Sequence, residues 1–233
     1  MRRELLYEDP YVSALHLEWW MQKLLRLVLV PANFLLWRLK VEGKENLPTD
    51  EGAMLCFNHT SYADAVISWA GLGRKVRLIG KSEIFDGPFP VGWVGASAYA
   101  FPVNRKSADR NAIRWAVASL SRGDLVGVYP EGTRVRTPDQ PIVVHAGPAL
   151  MAQMAGVCVV PIGIEGADRI WPKGRRFPRW GKVTMRVGKP IDPQDFTHLP
   201  KQGRNDAIMD AVMDEVYRLA GSSAPTSKDK QWR

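Results

Sequence analysis

The chain has 233 residues, 45% of them hydrophobic and 24% charged, which is ordinary for a globular protein and gives ample length for one sizeable core with appendages. Its formal net charge of +8 points to an anionic partner: nucleic acid, an acidic membrane surface or a phosphorylated substrate. Cys56 and Cys158 sit inside the apolar runs "AMLCFN" and "GVCVVPI", which excludes a disulfide framework and suits a reducing compartment.

The first residues, "MRRELLYEDPY", lack a basic start feeding an apolar core and a small-residue cleavage site, so no cleavable signal peptide is expected. Residues 15–43, "LHLEWWMQKLLRLVLVPANFLLWRLKVEG", are rich in Leu, Trp and Val but are broken by Lys23, Arg26, Pro31, Asn33 and Arg38. A spanning helix needs about 20 mostly apolar residues, and no stretch here supplies them. Trp19, Trp20 and Trp37, set among basic residues, suit the membrane–water boundary. The expectation is a monotopic helix, or a pair bent at Pro31, lying in one leaflet. A helix packed on the soluble core is the alternative.

Further along, strand and helix patterns alternate. Strands are predicted over 51–58, 75–80, 97–104, 124–130, 157–166 and 182–191. Helices are predicted over 61–73, 107–123, 146–156 and 204–221, from their apolar spacing and their closing glycines. This alternation implies an α/β fold, with a mixed, mostly parallel sheet flanked by helices. The chain divides into an N-terminal interfacial segment (1–40), a catalytic domain (41–221) and a disordered tail (222–233).

Within "LCFNHTSYADAVISW" a strand stops at Asn58, His59 follows, and Asp64 lies in the first turn of the next helix. "SYAD" fits a capping-box start, with Ser61 as the cap. Side chains on a helix lean toward its N-terminus, so Asp64 points back toward His59. A carboxylate on one ring nitrogen fixes the tautomer and leaves the other nitrogen free as a base. Taken alone, this spacing is equally that of a helix-start ornament. A second cluster, "YPEGTR" (129–134), follows a strand: Gly132 permits close backbone approach, and the fork of Arg134 matches phosphate oxygens. A third, "FPVNRKS" (101–107), puts Arg105 and Lys106 after a strand. Ligands of open α/β sheets gather at the carboxyl ends of strands, where all three clusters fall.

Together these residues resemble a known family. "NHTSYAD" is similar to the N-H-x4-D motif of the glycerolipid acyltransferases, the lysophosphatidic acid (1-acyl-sn-glycerol-3-phosphate) acyltransferase family. "PEGTR" resembles its E-G-T-R motif, "FPVNR" its arginine block, "VVPIGIEG" its proline-centred block, and "KSEIF" (81–85) a stretch between the first two blocks. The order is kept over roughly residues 40–190. One departure is "VVHAGPALMA", where the family often carries Lys-Gly before its small-residue helix.

The resemblance implies transfer of a fatty acyl group from acyl-CoA or acyl carrier protein to the sn-2 hydroxyl of 1-acylglycerol 3-phosphate. His59 would be the base and Asp64 would orient it. Arg105, Glu131, Gly132, Thr133 and Arg134 would hold the acceptor phosphate, and Val160, Pro161 and Ile162 would shape or support the acyl site. Another lysolipid or glycerol 3-phosphate as acceptor, or a non-catalytic lipid-binding module, stays open. No cofactor is implied beyond the acyl thioester, which is a substrate. The four His and two Cys show no metal-ligand spacing. No nucleic-acid motif is present. The acid-free stretch 169–189, with Trp171 and Trp180, reads as membrane-facing, with the phosphates of the donor as an alternative. The expected location is the cytoplasmic face of a membrane.

Overall fold

The structure is a computed structural model that describes residues 19–74, 76–81, 101–103, 110–134, 142–172, 175–222 and 230–232. In chain order the elements are α1 (Trp19–Leu36), β1 (Lys40–Glu42), β2 (Ala53–Phe57), α2 (Asp64–Gly71), β3 (Val76–Lys81), β4 (Phe101–Val103) and α3 (Arg110–Ser121). Then come β5 (Leu125–Val128), β6 (Ile142–Val144), α4 (Gly147–Ala155), β7 (Val159–Glu165), α5 (Ala167–Ile170), β8 (Thr184–Val187), α6 (Lys201–Leu219) and β9 (Lys230–Trp232).

A seven-stranded sheet in the order β1-β8-β7-β2-β5-β3-β4 forms the centre. All its pairings are parallel except β7 with β8, so the sheet is mixed and mostly parallel, as the alternation predicts. The central strand β2, "AMLCF", is buried throughout, because helices cover both faces of the sheet. Its side chains alternate between two cores. Leu55 and Phe57 join Ile67, Trp69, Val160 and Ile162 on the α2 side. Met54 and Cys56 join Ala116, Ala149, Ala152, Met209, Val212 and Met213 on the side of α3, α4 and α6. Helix α4 starts with Pro148 at its first turn and closes on Gly156 in the left-handed region at φ 68°.

Two expectations meet the structure. First, of the two forms expected, α1 takes the single helix, continuous through Pro31. Pro31 and Leu27, whose carbonyl loses its partner, are both exposed, so the missing hydrogen bond is not buried. Among the described residues no helix is long and apolar enough to cross a membrane. Second, the polar C-terminal residues are predicted to be disordered from 222 on, yet Lys230–Trp232 pair in parallel with Ile142–Val144. A free strand edge offers backbone partners whatever the side chains. Residues 1–18, the interval 82–100 that carries most of "KSEIF", and 223–229 lie outside the described residues.

Candidate active site

The carboxyl ends of the parallel neighbours β2 and β5 deliver the two loops that form the site. At the end of β2 the chain must leave the sheet, and Asn58 manages the exit. Its amide donates from Nδ2 to the Ile164 carbonyl at 2.9 Å, and its Oδ1 accepts from the Ile164 N–H at 2.7 Å. A side-chain amide has the donor and acceptor of a peptide, so Asn58 extends the β2–β7 ladder by one rung while its own backbone turns away.

His59 follows on that turn. Its Nδ1 lies 2.8 Å from Asp64 Oδ2. The same Oδ2 accepts from the Thr60 and Ser61 N–H groups, each at 2.8 Å. An oxygen already accepting from two N–H groups is the acceptor of the third contact as well, so Nδ1 carries the hydrogen and Nε2 is left to take a proton. Helix α2 begins at Asp64, with Ala63 rather than Ser61 at its N-cap and no side-chain cap there; Ser61 Oγ accepts from the Ala63 N–H at 3.1 Å, and Asp64 reaches back to the Ser61 N–H at 2.8 Å. The ornament and the base-orienting pair are therefore one structure. Asp64 is 0% exposed and its Oδ1 has no hydrogen-bond partner among the described residues, whereas the His59 side chain keeps 19% exposure.

The β5 loop holds the His59 turn from the other side. The Tyr129 ring stacks on the His59 ring, with centroids 4.3 Å apart, and its hydroxyl pairs with Ser68 Oγ at 3.0 Å. Burial, reinforced by the nearby Asp64 charge, raises the Tyr129 phenol well above its ordinary range. Glu131 is 3% exposed. Its Oε2 accepts from the His59 N–H at 2.9 Å and its Oε1 from the Tyr217 hydroxyl of α6 at 2.7 Å. Desolvation pushes the Glu131 carboxyl up to about 8, against the two donors that favour its anion.

The expected role of Glu131 in holding a phosphate is thereby corrected. Both oxygens face protein donors in the interior. It positions the His59 backbone instead. Gly132 has φ 64°, and a Cβ there would lie 2.8 Å from His145 Nε2, so the turn requires glycine on both counts. The residue that replaces the customary Lys-Gly pair, His145, is thus packed against this turn. Thr133 is exposed. The Arg134 guanidinium lies 3.8 Å over the Tyr62 ring, and Tyr62 in turn packs at 5.8 Å on Trp171. Ser61 Oγ donates to the Trp171 carbonyl at 2.8 Å, which ties the His59–Asp64 turn to the loop after α5.

His59, Asp64, Glu131, Gly132 and Arg134 therefore converge. Arg105 lies outside the described residues. Val160, Pro161 and Ile162 are buried in β7, paired with β2 through Cys56 and Phe57, so they support the strand that presents His59. Cys56 is fully buried and its thiol is raised by that burial, which leaves it a core residue. Among the described residues no group of three His, Cys, Asp or Glu is placed to hold a metal. Asn58 and Tyr129 stand inside the quoted motifs with no role of their own read there, and Tyr217 escapes a motif reading. Tyr217 is separated from Glu131 by 86 positions, and its helical spacing marks it only as core.

Comparison with known proteins follows the geometry. Residues 38–165 match the family model described as Acyltransferase. The chain is similar to the 1-acyl-sn-glycerol-3-phosphate acyltransferase of Bacillus subtilis, 30% identical over 185 residues that cover 78% of this chain and 87% of that protein. It is similar to the protein of the same name from Streptococcus pneumoniae, 26% identical over 84% of this chain and 73% of that one. The crystal structure of the 1-acyl-sn-glycerophosphate acyltransferase of Thermotoga maritima superposes with a TM-score of 0.65 at 25% identity, over 86% of this chain and 80% of that chain.

Proposed function

We propose, from the premise that this chain belongs to the acyltransferase family, that it transfers a fatty acyl group from an acyl thioester to the sn-2 hydroxyl of a 1-acylglycerol 3-phosphate, giving a phosphatidic acid. The observation that carries the reading is the 2.8 Å contact between a part-exposed His59 and a fully buried Asp64. His59 Nε2 takes the hydroxyl proton as the oxygen attacks the thioester carbonyl carbon. The tetrahedral adduct collapses, the carbon–sulfur bond breaks, and the thiolate leaves with the proton returned by the imidazolium. Asp64 accepts the Nδ1–H throughout and stabilises the transient cation. No acyl-enzyme forms.

Arg134 and Thr133, on the β5 loop that also carries Tyr129 and Glu131, are suited to the acceptor phosphate: the Arg134 guanidinium rests on the Tyr62 ring and, among the described residues, forms no ion pair. Arg105, two positions after β4 in the sequence, would add a second cation. Acyl-CoA or acyl carrier protein supplies the thioester. The enzyme works at the cytoplasmic face of a membrane, where its acceptor resides, with α1 presenting the exposed Leu27, Val28, Phe34 and Leu35.

The test is acyl transfer from oleoyl-CoA to lysophosphatidic acid in detergent micelles. Wild type should form product and His59→Ala should lose at least about a thousand-fold in kcat, with an unchanged melting midpoint. Equal activity in the two proteins would remove His59 from the mechanism. A wild type active only on another acceptor would move the substrate assignment.

A further inference from the structure

Between α5 and β8, the described residues 171–172 and 175–182 are held at several points and yet leave their most apolar side chains in solvent. Their backbone is fixed by Arg175 N–H to the Pro172 carbonyl (3.2 Å), Arg179 N–H to the Ile170 carbonyl (2.8 Å) and Gly181 N–H to the Leu36 carbonyl at the end of α1 (3.3 Å). The Trp171 indole donates to the Arg175 carbonyl at 3.0 Å. Gly181 passes so close to Ile170 that a Cβ would lie 2.3 Å from its Cγ2. On this fixed frame Phe177 is 67% exposed and Trp180 is 77% exposed. Rings of this size left in water on an anchored loop mark a surface that is covered by something.

The charges say what covers it. Residues 169–189 contain no acidic residue. Arg175, Arg176, Arg179 and Lys182 are exposed, and among the described residues none of them pairs with a carboxylate. Trp180 stands beside Leu35, Leu36, Arg38 and Gly181 around an open cavity of about 340 Å³. There an apolar wall from α1 meets a cation. Arg38 holds a left-handed backbone at φ 40°, which is rare outside glycine and turns the chain at the foot of α1. An exposed Trp beside aliphatic side chains and a cation, with further exposed cations along the same segment, is the signature of contact with anionic lipid: rings enter the headgroup boundary and cations meet phosphates.

We propose that the Trp171–Lys182 loop is a second membrane-docking element. Phe177 and Trp180 insert beside the exposed end of α1, and Arg38, Arg176, Arg179 and Lys182 bind the phosphates of anionic phospholipid. The loop also fixes orientation, because its first residue accepts hydrogen bonds from Ser61 Oγ and the Tyr62 N–H, at 2.8 and 3.2 Å, on the turn that carries His59. Docking at two points, α1 and the loop, sets the mouth formed by Tyr62, Arg134 and Trp171 against the bilayer from which a lysolipid is drawn. This last step rests on the acyl-transfer reading; the docking itself does not.

The experiment is partition of the full chain onto phosphatidylcholine vesicles with and without phosphatidylglycerol. The proteins compared are wild type, Phe177→Ala with Trp180→Ala, and Arg176→Glu with Arg179→Glu. Micellar acyl transfer is measured in parallel. Each double variant should bind the anionic vesicles about ten-fold or more weakly. The charge reversal should flatten the salt dependence, and micellar turnover should stay within about two-fold of wild type. Wild-type binding by both variants would overturn the proposal. A raised donor KM in micelles with intact vesicle binding would overturn it in favour of a site for the donor's phosphates. Loss of a dimer rather than of vesicle binding would assign the face to a second copy of the chain. Absence of micellar turnover in wild type would instead refute the acyl-transfer reading, while the partition data still decided the docking.

Discussion

Glu131→Gln isolates the buried carboxyl behind His59. In the wild type, burial raises this group from 4.5 to about 8. Below pH 4.5 it is protonated in both native and unfolded chains. Between there and about 8 the unfolded chain ionises freely while the native chain holds its proton, so the native state binds more protons and stability falls as pH rises. Above about 8 both are ionised and the slope ends. One proton gives a slope of about 1.4 kcal/mol per pH unit, and the full window is worth about 5 kcal/mol, the lowering by the His59 N–H and the Tyr217 hydroxyl already included. Glutamine keeps the geometry. Its Oε1 accepts from the His59 N–H, and its Nε2 donates to the Tyr217 oxygen, whose hydrogen rotates away. Urea unfolding at a series of pH values from 5 to 9 should therefore show wild type losing stability relative to Glu131→Gln as pH rises, with the difference levelling above about 8. A pH-independent difference between the two proteins would refute the reasoning: the carboxyl would then titrate at its ordinary value despite its burial.

Other outcomes follow from the same geometry. Asn58→Ala leaves the Ile164 N–H and carbonyl without their partner in the interior, and should cost about 2–4 kcal/mol in chemical unfolding, with turnover falling because the His59 turn is loosened. Tyr217→Phe removes one donor from Glu131. It should raise the Glu131 carboxyl further and shift the stability slope to higher pH, with a loss of about 1–2 kcal/mol near neutral pH. Arg134→Ala should raise the acceptor KM by about ten-fold or more with little change in kcat, read from initial rates at varied lysophosphatidic acid; a fall in kcat alone would place the guanidinium in the transition state.

The alternation of strand and helix, the buried run "AMLCF" and the period-two split of its side chains were legible from the chain itself, because hydrophobic period is a local property. So was the approach of Asp64 to His59, since five positions across a helix start leave one geometry for a side chain that leans toward the N-terminus. The strand edges β1, β6 and β9 were not legible: strands of three residues carry too little period, and their pairing depends on which edge lies beside them. The resemblance implied a phosphate role for Glu131, and its part as a support was not legible either: only its 3% exposure and its two protein donors turn it into one.

Tertiary structure alone decided three things. It joined Tyr217 to Glu131 across 86 positions. It gave Asn58 the task of replacing a peptide rung between β2 and β7. It set the Trp171–Lys182 loop between the end of α1 and the His59 turn. Each depends on elements far apart in sequence meeting at the carboxyl ends of the central strands. Local propensity and spacing carry no information about such meetings; the burial of both faces of β2 at the centre of an open, helix-covered sheet brings them about.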